Sequence, residues 1–190
     1  MLINTNKEPQ KEQNVQNNLI SLIGMMGTGK TKFGRLVSKK LNLNFFDIDT
    51  LIEKKFNTPI NDLFRINGEF FFRKVEKEVI YSIINESKIS KEKAVISIGG
   101  GAFDNSYTRK LLLKETKVIW LNTPINSLVE RVGDGSKRPM LQGDIKTSIN
   151  TILEKRVKYY IQSHYKLDTD KLSQKKIIAQ IIKLTLQKRL

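Results

Sequence analysis

The sequence has no cysteine, a single histidine and a single tryptophan. The first absence excludes disulfides and thiolate metal sites, and it leaves the redox state of the compartment unconstrained. Long apolar runs are also missing, since none approaches the roughly 18 residues that a membrane span needs. Acidic residues are scarce too, 19 against 34 lysines and arginines, for a net charge of +15. Such a surplus raises the question of nucleic acid. Nearly half of it lies in residues 154–190, which hold ten basic and three acidic side chains. There the lysines alternate with Ile177, Ile178, Ile181 and Ile182, the pattern of a helix with one buried and one solvated face. No basic–aromatic interleaving and no nucleic-acid module accompanies the charge. Small anionic substrates account for part of the surplus equally well, and nucleic acid is not expected as a partner.

What is present is ordinary for a soluble globular protein: 39% apolar and 28% charged residues. A chain of 190 residues suits one α/β domain better than two. Met1 to about Asn17 is polar, carries Glu8 and Glu12 and lacks the apolar stretch of a secretory signal. Residues 1–17 are therefore expected to form a flexible extension and residues 18–190 a single domain, with a cytoplasmic location as the default.

One stretch organises the rest. Gly24-Met25-Met26-Gly27-Thr28-Gly29-Lys30-Thr31 follows the P-loop pattern of a glycine, four residues, then Gly-Lys-Thr. An apolar run, 19–23, precedes it and a helical pattern with Phe33, Leu36, Val37 and Leu41 follows it, the strand–loop–helix context the motif requires. Its backbone N–H groups and the helix N-terminus suit phosphate oxygens. Lys30 has the reach for the β- and γ-phosphates, and the Thr31 hydroxyl suits a magnesium ion.

Further apolar runs at 45–47, 94–98, 118–121 and 165–167 alternate with helical patterns, which predicts a parallel sheet with crossover helices. Pro59 starts a helical stretch carrying Ile60, Leu63 and Phe64; Gly68 breaks it, and a longer helix with Phe72, Val75, Val79 and Ile83 follows. Asn122-Thr123-Pro124 reads as a cap-and-proline start for a helix bearing Ile125, Leu128, Val129 and Val132. Residues 133–139 are too polar and glycine-rich to pack, and another helix spans about 145–162. Trp120 reads as core, and His164 as structural or exposed.

Chemistry gathers just after the strands. Asp47 and Asp49 lie two residues apart, which in extended backbone places both carboxylates on one side. One suits a magnesium shell, the other an acceptor hydroxyl; alternatively, Asp49 caps the helix opening at Thr50. Gly99-Gly100-Gly101 signals close approach to the backbone, and Ser97 could hold a metal-bound water. Arg73 and Arg156 are candidate anchors for a carboxylate, with Glu76 three residues beyond Arg73 to orient it. Arg138 is placed like a lid arginine over the transferring phosphoryl group.

Together these residues resemble the shikimate kinase family, from about Ile20 to Ile182. The likeness rests on Gly24–Thr31, Asp47-Ile48-Asp49, Gly68-Glu69 with Phe72-Arg73 and Glu76, Gly99–Ala102, and Arg138-Pro139-Met140-Leu141 followed by Arg156 to Tyr160. It implies a three-layer α/β/α P-loop kinase fold with a five-stranded parallel sheet and a mobile lid over about 133–143. It also implies ATP-dependent phosphorylation of the 3-hydroxyl of shikimate, with Mg²⁺, in aromatic amino acid biosynthesis by a monomer. Catalysis would fall to Lys30, Asp49 and Arg138. ATP would be held by Gly27, Thr28, Gly29, Lys30, Thr31, Lys32, Arg131 and Arg138, with 170–173 flanking the base. Shikimate would be held by Asp49, Arg73, Gly99, Gly100, Gly101 and Arg156, and the metal by Thr31 and Asp47. A kinase for gluconate or a nucleoside monophosphate is the nearer alternative, and a non-catalytic nucleotide-binding regulator the more distant one.

Overall fold

The computed structural model describes residues 19–133, 140, 141 and 143–187. Five strands run through it: β1 Leu19–Ile23, β2 Asn44–Asp47, β3 Ala94–Ser97, β4 Lys117–Asn122 and β5 Tyr165–Asp168. All pair in parallel, in the order β2-β3-β1-β4-β5. Each expected run is a strand, because each is apolar, short and bounded by turn residues.

The helices are α1 Lys30–Leu41, α2 Ile48–Phe56, α3 Ile60–Ser90, α4 Ser106–Glu115, α5 Ile125–Val132, α6 Ile145–Tyr160 and α7 Gln174–Leu186. They cover both faces of the sheet, as a parallel sheet demands. Strand alternation divides the core accordingly. Ile20 and Leu22 of β1 pack with Phe33 and Val37 of α1 and Ile177, Ile178 and Ile181 of α7. Leu19 and Ile23 point the other way, into a cluster with Ile80 and Ile84 of α3, Leu112 of α4 and Ile149 of α6. This is the three-layer arrangement. At a fully buried position such as Ile96, truncation to alanine would cost about 2–5 kcal/mol.

Topology fixes where ligands go. β1 lies between β3 and β4, so the chain builds one half of the sheet and then returns to build the other. The crevice at that reversal, beyond the carboxyl ends of the strands, is the usual ligand site of such sheets. The loop leaving β1 into it is the glycine-rich motif.

One local expectation holds and one changes. The break at Gly68 is present: α3 consists of two helical stretches that meet at a kink, where Gly68 alone is non-helical at φ 77° and ψ 169°. Asn122 and Thr123 do not cap α5, whose start carries no side-chain cap. Their side chains instead bond Asp168 at 2.5 Å and Thr169 at 2.7 Å, holding the end of β4 to β5. Residues 1–17 and most of the expected lid, including Arg138, lie outside the described residues.

Candidate active site

The P-loop is folded tightly against the sheet. Gly24 has φ 139°, and a Cβ there would come within 2.5 Å of the Leu121 carbonyl, so no other residue fits. The buried Thr28 hydroxyl donates to the Met25 carbonyl at 2.9 Å and closes the loop on itself. Lys30 begins α1 after a left-handed Gly29. Its Nζ donates to the Gly24 and Met25 carbonyls, each at 2.9 Å, which lays the ammonium along the inside of the loop. From α5, Arg131 Nη1 donates to the Gly27 carbonyl at 3.3 Å. Lys30, Thr31, Lys32, Ser97 and Arg131 line a polar cleft of about 780 Å³.

The expected geometry of the aspartate pair is corrected. The strand ends at Asp47 and the helix starts at Ile48, so the two residues do not share an extended backbone. Asp47, not Asp49, caps the helix: its Oδ1 accepts from the Thr50 N–H at 3.2 Å. Its Oδ2 accepts from the Thr31 hydroxyl at 2.6 Å. Asp49 sits in the first turn of α2, from which it reaches the mouth of the cleft.

A second cleft, of about 510 Å³, adjoins the first. Asp49, Arg73, Glu76, Gly99, Gly100, Gly101 and Arg156 form its polar lining, and Ile60, Phe64, Phe72 and Met140 form an apolar wall. Of the three consecutive phenylalanines, Phe72 supplies that wall, while Phe70 is 87% exposed. The triple glycine explains itself here. A Cβ on Gly101 would stand 2.5 Å from Arg73 Nη2 and 2.7 Å from Arg156 Nη2. What approaches Gly101 so closely is the protein's own pair of guanidinium groups, and what approaches Gly99 is the Glu76 carboxylate.

Charge in this cleft is concentrated and enclosed. Glu76 is 2% exposed; its Oε2 accepts from Arg73 Nη1 at 2.6 Å, and its Oε1 has no hydrogen-bond partner among the described residues. Burial, the largest influence, lifts its carboxyl to about 7, with Asp49 pushing the same way and Arg73 and Arg156 opposing. Burial works against the Arg73 charge, but Glu76 and Glu69 outweigh it and raise the pKa above its usual value. Arg156, 5% exposed, is held by Asp104, Nε to Oδ2 at 2.9 Å. Tyr160, one turn further on, donates to the Gly100 carbonyl at 2.5 Å, and burial pushes its hydroxyl pKa up.

The sequence therefore located Asp49, Arg73, Arg156 and the glycines, and the fold brings them to one cleft. Glu76 was legible as a neighbour of Arg73 from its i, i+3 spacing. Asp104 was not singled out, and Tyr160 entered only as the end of the Arg156–Tyr160 stretch. His164 is structural: its Nδ1 accepts from the Val118 N–H at 3.0 Å. Among the described residues, no helix is long and apolar enough to cross a membrane.

A polar cleft on a P-loop, joined to a second cleft with one buried and one half-buried guanidinium group and a carboxylate at the junction, defines a P-loop kinase for a small anionic acceptor. The sequence model of the shikimate kinase family matches residues 26–185. A shikimate kinase of Moorella thermoacetica is 38% identical over 80% of this chain and 84% of its own. One from Sulfurihydrogenibium sp. is 34% identical over 86% of this chain and 95% of its own. Among solved structures, shikimate kinase from Acinetobacter baumannii in complex with shikimate superposes with a TM-score of 0.82 at 30% identity. It covers 88% of this chain and 92% of that one. The chain belongs to the shikimate kinase family, and is a kinase that phosphorylates shikimate at the expense of ATP.

Proposed function

We propose that the phosphoryl group passes from ATP in the polar cleft to the 3-hydroxyl of shikimate in the adjoining one. The observation that carries this reading is the junction: Met26, Asp49 and Gly100 line both clefts. Phosphoryl transfer asks chiefly for alignment and charge neutralisation, so a shared wall is what the reaction needs.

Arg73 and Arg156 receive the acceptor carboxylate, whose two oxygens suit the planar donors of guanidinium. That contact turns the ring hydroxyls toward Asp49, which accepts a hydrogen bond from the attacking hydroxyl and takes its proton as the new bond forms. Backbone N–H groups of Gly27 to Lys32 hold the phosphates. Lys30 leaves its two carbonyl partners to follow the charge on the transferring group. Arg131, already beside Gly27, lies toward the base, with residues 170–173 on its other side. Arg138 closes from the lid over 133–143 and keeps water from competing as acceptor.

The residues fit a magnesium ion. The Thr31 hydroxyl and the Asp47 carboxylate offer hard oxygen donors 2.6 Å apart at the start of α1. Among the described residues no group of three or more His, Cys, Asp or Glu side chains could hold a metal. That suits an ion which rests mainly on nucleotide phosphates and water. When bound, Mg²⁺ neutralises charge on the β- and γ-phosphates.

The test is ADP release with ATP and Mg²⁺, comparing shikimate, gluconate and a nucleoside monophosphate as acceptors. Strong stimulation by shikimate alone is expected. Stimulation by either of the others would discard the acceptor assignment to Asp49, Arg73 and Arg156.

A further inference from the structure

Asp104 lies in the 3-10 turn Ala102–Asp104, which leaves the triple glycine. It stands behind Arg156 and outside the residues that line the acceptor cleft. Its Oδ2 accepts from Arg156 Nε at 2.9 Å. Its Oδ1 is enclosed and has no hydrogen-bond partner among the described residues. Burial, only partly offset by Arg156, Arg73 and Arg109, raises its pKa. A carboxylate here is costly, and the ion pair is what offsets that cost.

The turn that carries Asp104 is itself clamped. Its N–H donates to the Gly101 carbonyl at 3.1 Å. From α4, Arg109 Nη1 donates to the Phe103 and Asp104 carbonyls, each at 3.0 Å, while its Nε donates to Gln162 Oε1 at 3.0 Å. The Arg109 guanidinium also lies 4.5 Å from the centre of the Tyr159 ring. The end of α6, α4 and the turn thus form one rigid frame behind the cleft.

From this geometry we infer that Asp104 is a positioning residue for acceptor recognition. By occupying the Nε edge of Arg156, it presents the opposite Nη edge to the Gly100–Gly101 turn and to the acceptor carboxylate. A guanidinium can accept a carboxylate through either edge, so blocking one edge fixes which way the acceptor lies. This inference rests on the reading of Arg156 as a carboxylate anchor.

The experiment is a mutant cycle on the full chain, with KM for shikimate and for ATP measured separately. Asp104→Ala should raise the shikimate KM about tenfold, the scale of one hydrogen bond to a charged group, and leave the ATP KM within about twofold. Asp104→Asn keeps an acceptor oxygen and should recover most of that loss. In an Arg156→Ala background, Asp104→Ala should add nothing further, since its effect passes through the arginine. Thermal melting of each variant separates loss of fold from loss of recognition. An unchanged or lower shikimate KM in Asp104→Ala, with Arg156→Ala impaired, would overturn the positioning role alone. So would an equal, additive loss in the Arg156→Ala background, or a parallel rise in ATP KM. If Arg156→Ala itself left the shikimate KM unchanged, the anchor reading would fail first.

Discussion

The two clefts of this molecule meet at three residues but are built in opposite ways. The nucleotide side is nearly local: one stretch, Gly24 to Thr31, supplies the loop, the lysine and the hydroxyl, and Asp47 is added from the next strand. The acceptor side has no such stretch. Its polar groups come from α2, α3, the glycine turn and α6, and the Arg156–Asp104 pair joins residues 52 positions apart. A site made of backbone needs few side-chain contacts to hold its shape. One made of converging charges needs every charge to be braced by another, and Glu76 and Asp104 do that bracing.

Substitutions can break this contrast or sharpen it. Lys30→Ala should lower kcat by about 10³-fold through the transition state, with melting little changed. A near-normal rate would remove the nucleotide half of the comparison. Arg73→Ala should raise the shikimate KM about a hundredfold and spare the ATP KM. Equal effects on both substrates would mean that the two sites are not built independently.

Glu76 gives a smaller and pH-dependent effect. Its folded pKa of about 7 lies above the 4.5 of a free glutamate, so the folded state holds a proton that the unfolded state has lost. Its contribution is therefore fully present at low pH and is lost as pH rises toward about 7. Denaturant titrations should show wild-type stability falling across that window relative to Glu76→Gln. Parallel curves would mean that the burial of Glu76 carries no proton with it. Smallest of all, Tyr160→Phe removes the bond to the Gly100 carbonyl and should cost about 1 kcal/mol in stability. It should raise the shikimate KM a few-fold at most, because Gly100 belongs to both clefts.

The same contrast decides what the sequence disclosed. The P-loop and the five strands were legible because local pattern and short-range sterics dictate them, whereas the strand order that sets the reversal at β1 is a long-range feature. Gly99–Gly101 announced close approach, yet a glycine run does not name what approaches; Arg73 and Arg156 became visible as its neighbours only once α3 and α6 were folded over it. Asp47 and Asp49 exchanged the cap because the strand gives way to helix between them, and a boundary shift of two residues reverses such an assignment. Asp104 carried no signal in its own neighbourhood. Its partner is fixed by the packing of α6 against the turn after β3, a contact that no periodicity encodes.

The glycine turn also limits how this enzyme can be retargeted. Adding a side chain at Gly101 would collide with two guanidinium groups within 2.7 Å, so a change on the floor of the acceptor cleft would displace the anchors from Glu76 and Asp104. The opposite wall, Ile60, Phe64 and Met140, is apolar, with the Arg73 guanidinium 5.9 Å from the centre of the Phe64 ring. New acceptors of altered ring shape are therefore reachable by repacking that wall. New acceptors lacking the anion are not, because removing the arginines would leave the buried Glu76 and the half-buried Asp104 without their ion-pair partners. Shape is the adjustable half of this enzyme's specificity, and charge is the fixed half.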